Sequence, residues 1–172
     1  VELGIDAKKI SVFSNGIDPE GFSAICDRRK VDKFRREYGL EDKFVVSYIG
    51  TVGRAHYARI LFEAAKRHKD PDVVFLVMGA GEKFEELENE SKQACLENFR
   101  LIPKRPREDI PNFIDLSDVA VVHLIKSELF KTVVPSKMFE GMAMGKPLVL
   151  GVKGEAKRIL EDSGAGIPIE PE

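Results

Sequence analysis

No stretch of this 172-residue sequence approaches the roughly 18 consecutive apolar residues that a membrane-spanning helix needs. No secretory leader is legible at the start. Charge of one sign is lacking too. The formal net charge is -2, which excludes the basic excess expected of a nucleic-acid binder. Cysteine is scarce. Cys26 and Cys95 lie far apart in no metal or CxxC spacing, so both read as free thiols in a reducing compartment. The three histidines, His56, His68 and His123, are too scattered to form a metal site. His123 reads as a packed histidine at a strand end. No GxSxG, Walker A or HExxH pattern occurs.

What is present is the alternation of a parallel α/β domain. Short apolar runs at Phe44–Ile49, Val73–Met78, Phe99–Ile102, Asp118–Leu124, Leu148–Gly151 and Gly166–Ile169 predict strands. A further short strand is expected at Ile10–Phe13, before a turn at Ser14-Asn15-Gly16. Helices are expected over 31–38, 56–68, 83–97, 135–144 and 155–163, with another over 107–116 interrupted near Pro111. Such alternation implies a Rossmann-like, doubly wound parallel sheet of about six strands with helices on both faces. Residues 1–172 read as one domain, with a break in organisation near residues 14–30. Ligands of such sheets sit beyond the carboxyl ends of the strands. The loops after Ile49, Met78, Ile102 and Leu124 are therefore the place to look for chemistry.

The richest loop opens the helix at Val134-Pro135-Ser136-Lys137. Pro135 suits a first helical position, where its missing N–H costs nothing. The amides of Ser136 and Lys137 would then be free first-turn donors, suited to phosphate oxygens. At 100° per residue Met138, Phe139, Met142 and Ala143 share one arc, and Ser136, Lys137 and Glu140 share the other. Glu140 is thus placed to accept hydrogen bonds from a vicinal diol such as a ribose. The competing reading is a solvated helix glutamate.

Three other loops are weaker. Gly50-Thr51-Val52-Gly53-Arg54 follows a buried strand; its glycines let backbone approach a ligand, and the Arg54 fork suits a diphosphate. Gly79-Ala80-Gly81 starts like GxGxxG but has Phe84 at the third glycine, so it is a sharp turn near the ligand and not a dinucleotide fingerprint. Pro103-Lys104-Arg105-Pro106-Arg107 is a stiff basic loop that could frame a base and bring Lys104 to a phosphate. Arg105 and Arg107 read as solvated.

Taken together these segments resemble the C-terminal domain of GT-B glycosyltransferases, in particular family 4 of retaining enzymes, the group 1 glycosyltransferases. Ser14-Asn15-Gly16-Ile17-Asp18 resembles the "PNGVD" stretch that leads into that domain. Tyr48 to Gly53 resembles its first glycine loop, Val134 to Pro147 its donor helix ending E-x-x-A-x-G-x-P, and Ser163-Gly164-Ala165-Gly166 its "SGAG" turn. The variant PSKMFEGMAMGKP is most similar to bacterial and archaeal enzymes of surface-polysaccharide assembly, including transferases of N-acetylated amino-deoxy sugars.

The resemblance implies a nucleotide-sugar-binding domain with residues 1–20 as interdomain lead-in. An acceptor domain would precede Val1 and a closing helix would follow Glu172; both ends read as cut. Donor nucleotide contacts are implied at Gly50, Gly53, Gly79, Lys104, Val134, Pro135, Ser136 and Glu140, and charge stabilisation at Arg54 and Lys137. Glu140 corresponds to the second glutamate of the E-x7-E motif. The first falls at Thr132, with Glu128 or Lys131 as substitutes toward the donor sugar.

The donor would be a UDP- or GDP-sugar, used with retention, without a metal or other cofactor. The acceptor would be a glycan or a lipid-linked sugar. The expected location is the cytoplasm, with the full-length protein at the inner face of the cell membrane. The isolated chain is expected to bind nucleotide weakly and to transfer nothing. Two rivals stay open: a sugar-nucleotide epimerase of the same architecture, and a non-catalytic nucleotide-binding regulatory module.

Overall fold

The computed structural model describes residues 4–11 and 13–172. In chain order the elements are α1 (Pro19–Ser23), α2 (Arg28–Glu37), β1 (Phe44–Thr51), α3 (Arg59–Arg67), β2 (Val73–Ala80), α4 (Phe84–Ala94) and β3 (Phe99–Pro103). These are followed by α5 (Ile110–Asp115), β4 (Val119–His123), α6 (Ser136–Ala143), β5 (Leu148–Gly151), α7 (Glu155–Ser163) and β6 (Gly166–Pro168). Single 3-10 turns occur at Ala7–Lys9, Arg107–Asp109 and Leu129–Thr132.

The six strands form one sheet in the order β3-β2-β1-β4-β5-β6, and each neighbouring pair is parallel. Alternate residues along β2 show why the runs are continuously apolar. Phe75 and Val77 pack with Leu61, Phe62 and Ala65 of α3 and Leu87 of α4. Val74, Leu76 and Met78 pack with Val31 and Phe34 of α2 and Phe113 of α5. Both faces are covered, so neither set of side chains can be polar. Met138 of α6 and Ala156 and Leu160 of α7 complete the core over Val122, Leu148 and Leu150. From β1 the chain winds one way through α3 to β2. Beyond β3 it returns to the other side of β1 as β4. The carboxyl ends of β1 and β4 therefore flank the crevice where the winding direction switches.

Four sequence expectations need correction. Ile10, Ser11 and Phe13 carry no strand; Val12 lies outside the described residues. Ile10 and Phe13 are exposed, and the sheet order contains no strand from this segment. The helix expected from His56 begins at Arg59, because Tyr57 takes a left-handed conformation (φ 45) that a helix cannot include. Pro111 does not interrupt its helix. The chain enters α5 from the 3-10 turn, and Pro111 stands in the first turn, where no N–H is needed. Pro135 is the cap of α6 and not its first residue; its ψ of 127 is extended. Cys26 and Cys95 are both free.

Candidate functional site at the switch point

The start of α6 is held at the crevice by packing on both sides. Met138 is wholly buried among Val122, Leu148 and Leu150. Gly141 lets the helix come down on Leu148, whose Cδ2 is 2.6 Å from the position a Cβ would take. The Asn15 side chain donates to the Val134 carbonyl at 3.3 Å, tying residues 13–18 to the loop before α6. Pro135 makes no side-chain cap bond. Among the described residues, the amides of Ser136 and Lys137 donate to no protein acceptor. These are the free first-turn donors of a helix start, with the positive end of the axial dipole behind them.

Lys137 does not run out into solvent. Its side chain crosses the crevice, and Nζ donates to the Tyr48 hydroxyl at 2.8 Å. The ammonium lies 4.4 Å from the centre of the Tyr48 ring, a cation-π distance. It also fills the space over Gly50, where a Cβ would stand 2.5 Å from Nζ. Burial lowers the Lys137 pKa to about 8, against the attraction of Glu140. Glu140 is half-buried on the same side of α6 as Lys137. Its carboxyl pKa is raised by burial, with Lys137 and Arg107 opposing the rise. A void of about 20 Å³, room for about one water, lies between Ser47, Ile49, Ile114, Lys137 and Glu140. Glu140 is thus more buried than a helix glutamate on an open face, and the positive charges of Lys137 and of exposed Arg107 act on its carboxylate.

The remaining residues separate into three groups. Arg54 is exposed; its amide and guanidinium both meet Glu82, at 3.1 and 3.6 Å. It borders a cleft of about 280 Å³ with Tyr57, Lys83 and Glu86, which shares no lining residue with the void beside Glu140. Gly53 has ordinary contacts only, with Thr51, His56 and Glu82, so its lack of a side chain keeps the space above it open. Lys104 is exposed on the loop after β3.

Gly79 belongs to the second group, the internal one. A Cβ there would collide with the Gly50 carbonyl across the β1–β2 pair, so this glycine serves strand packing. Arg105 lies over the Phe34 ring at 5.4 Å and pairs with buried Asp109, stapling its loop to α2. His123 is fully buried, and neither ring nitrogen has a protein partner. It packs 5.9 Å from the Tyr57 ring and takes the Cβ space of Gly151, as a packed histidine would.

Glu128 and Lys131 form the third group. They pair with each other at 2.7 Å on an exposed 3-10 turn, and that bond lowers the Glu128 pKa. Thr132 bonds back to Leu129.

Sequence reasoning missed the Tyr48 hydroxyl and the closeness of His56 to Lys137; Arg107 is exposed as expected, whereas Arg105, read as solvated, packs on Phe34 and pairs with Asp109. A tyrosine inside a mostly apolar strand was the available signal, since a buried phenol needs a partner. His56 lies close enough to Lys137 that burial and that positive charge together lower its pKa. Among the described residues no group of three or more His, Cys, Asp or Glu is placed to hold a metal ion. No described helix is long and apolar enough to cross a membrane.

The arrangement offers free amides and an ammonium at one end and a carboxylate acceptor a helical turn away. Comparisons with known proteins bear on the fold and the family. WcaI of Escherichia coli (strain K12), a glycosyl transferase assigned to colanic acid biosynthesis, is 27% identical over 176 residues, covering 100% of this chain and 43% of its own. The UDP-Gal:alpha-D-GlcNAc-diphosphoundecaprenol alpha-1,3-galactosyltransferase of Escherichia coli is 30% identical over 154 residues, covering 87% of this chain and 38% of its own. The chain thus spans about two fifths of the length of these curated relatives. The crystal structure of Anabaena HepE with UDP and glucose superposes with a TM-score of 0.77 at 21% identity, over 99% of this chain and 46% of that one. Residues 30–172 match the family described as glycosyl transferases group 1, and the chain belongs to that family.

Proposed function

We propose that this chain is the donor-binding part of a retaining glycosyltransferase that takes a UDP- or GDP-sugar. The observation that carries this is the pairing, on α6, of free helix-start amides beside Lys137 with Glu140 one turn on. The amides of Ser136 and Lys137 take diphosphate oxygens, with Lys137 as their cation. Glu140 accepts from the ribose hydroxyls. The Val134-Pro135 turn and the Lys104 loop border the nucleotide, and Arg54, once released from Glu82, reaches the diphosphate from the β1 side. Glu128 and Lys131 border the sugar.

Sugar transfer leaves growing negative charge on the departing diphosphate. Fixed donors aimed at that charge lower the barrier, typically by about 3 kcal/mol for one such donor. The positive charges here are side chains and a helix dipole, so the proposed chemistry calls on no metal and no other cofactor. A UDP-sugar donor is supported by the galactosyltransferase relative and by structures of HepE with UDP-glucose. The names of the same relatives support surface polysaccharide or glycoconjugate synthesis, with a glycan or lipid-linked sugar as acceptor; we place the full-length protein at the inner face of the cell membrane.

The experiment is incubation of the full-length protein with UDP- and GDP-sugars, with and without a lipid-linked sugar acceptor. Acceptor-dependent release of nucleoside diphosphate with retained anomeric configuration is the expected result. Interconversion of the sugar without acceptor would make it an epimerase. Nucleotide binding without any turnover would make it a regulatory module.

A further inference from the structure

The Tyr48 side chain is wholly buried in the sheet, where a phenylalanine would fill the same space. Its hydroxyl is nevertheless fully engaged. The O–H donates to the Thr51 carbonyl at 2.7 Å, and the oxygen accepts from Lys137 Nζ at 2.8 Å. Thr51 ends β1, and Gly50 beside it has a φ of 149. One phenol therefore joins the turn after β1 to the cation from α6, across the crevice where the sheet changes winding direction. An ammonium carries three N–H donors. Among the described residues one of the three is taken, by Tyr48, and the ring supports the ammonium from below. The other two are left for whatever enters the crevice.

We propose that Tyr48 is a positioning residue for the donor diphosphate: its hydroxyl fixes Lys137 over the Gly50 turn, so that the cation is in place before the donor arrives. The proposal rests on the reading of this crevice as a nucleoside-diphosphate site. Preorganisation of this kind improves binding because the ordering cost is met in advance. The groups facing the ammonium are Tyr48 from β1, His56 from the loop behind β1 and Glu140 from α6 itself. Tyr48 is the one among them that accepts a hydrogen bond from the ammonium. Its loss makes the charged amine harder to keep buried, so the amine gives up its proton at lower pH.

The test is calorimetric titration of this chain with UDP and with uridine, from pH 7 to pH 9.5, for the unaltered protein and for Tyr48→Phe, Lys137→Met and Glu140→Ala. Circular dichroism confirms that each variant is folded. Tyr48→Phe is expected to weaken UDP roughly ten- to hundredfold, the range for one hydrogen bond to a charged group. It should leave uridine unchanged and move the alkaline loss of UDP affinity to lower pH. An unmoved pH limb with unchanged UDP affinity, while Lys137→Met and Glu140→Ala do weaken UDP, would overturn the role of Tyr48 and leave the site intact. Equal weakening of UDP and uridine would make Tyr48 a packing residue only. Absence of UDP binding by the unaltered chain would overturn the site itself, and the inference with it.

Discussion

The ammonium of Lys137 occupies the space in which residue 50 would carry a side chain: a Cβ on Gly50 would lie 2.5 Å from Nζ. Residue 50 also has a φ of 149, which side-chain-bearing residues rarely adopt. Gly50→Ala should therefore both strain the turn and expel the lysine. The expected cost is about 1–3 kcal/mol in unfolding free energy, with UDP affinity reduced by about tenfold or more. Denaturant melts and calorimetry check the two effects separately. Normal UDP affinity in Gly50→Ala would show that Lys137 works equally well displaced.

Lys137 predicts opposite pH trends for folding and for binding. Its pKa is lowered from an ordinary value near 10.5 to about 8 by burial. The unfolded amine thus holds its proton more tightly than the folded one. The free energy of unfolding should rise with pH between about 8 and 10.5, as the folded state sheds a buried charge. UDP affinity should fall over the same range, because the neutral amine no longer attracts the diphosphate. Lys137→Met should abolish both trends while leaving stability at pH 7 equal or higher. Melts and titrations at pH 7, 8 and 9.5 would show it.

Arg54 makes its contacts on the surface. Arg54→Ala removes an exposed ion pair with Glu82, and stability should change by no more than about 0.5 kcal/mol. UDP should lose affinity several-fold while uridine is unaffected. A large fall in melting temperature would mean that the Arg54–Glu82 contact holds the β1 loop itself.

The sheet was readable because most of the runs that pair in it are largely apolar, with Arg100 of β3 an exception, and glycine or proline punctuates most of their ends. The α6 site was readable for a similar reason: Pro135 and the 3.6-residue period place Ser136, Lys137 and Glu140 together whatever the tertiary structure. The wheel has no means of showing burial, however. It puts Lys137 on the polar arc, and only the approach of β1 makes that arc an interior. Gly79 looked like a ligand glycine for the same reason, since its neighbour Gly50 lies 29 residues earlier in sequence and beside it in the sheet. The run Ile10–Phe13 had a strand's composition, yet Ile10, Ser11 and Phe13 carry no strand.

His123 gives an acid-side prediction. Burial lowers its pKa, although the charge of Glu172 pulls the other way. The folded state therefore binds this proton less tightly than the unfolded chain. The stability tied to neutral His123 is present above about pH 6.5 and drains away as pH falls below it. His123→Leu should make the fall in melting temperature from pH 7 to pH 5 shallower. It should cost little at pH 7, where two unpartnered ring nitrogens are removed from the core. An unchanged acid slope would assign that slope to other groups, with His56 the next candidate because its pKa is also lowered by burial.

Glu140 carries the account. Its carboxyl pKa is raised by burial, so the ionised form costs folding free energy at neutral pH, and replacing it should not destabilise the empty protein. What it should cost is the ribose. The decisive measurement is calorimetry of UDP and of 2′,3′-dideoxy-UDP against the unaltered chain and Glu140→Ala at pH 7. Glu140→Ala should weaken UDP by about 10- to 100-fold, the value of one or two hydrogen bonds to a charged acceptor. It should leave the dideoxy nucleotide unaffected, so that the variant no longer distinguishes the two. If Glu140→Ala binds UDP as tightly as the unaltered chain does, the carboxylate is not at the ribose and the site is misplaced.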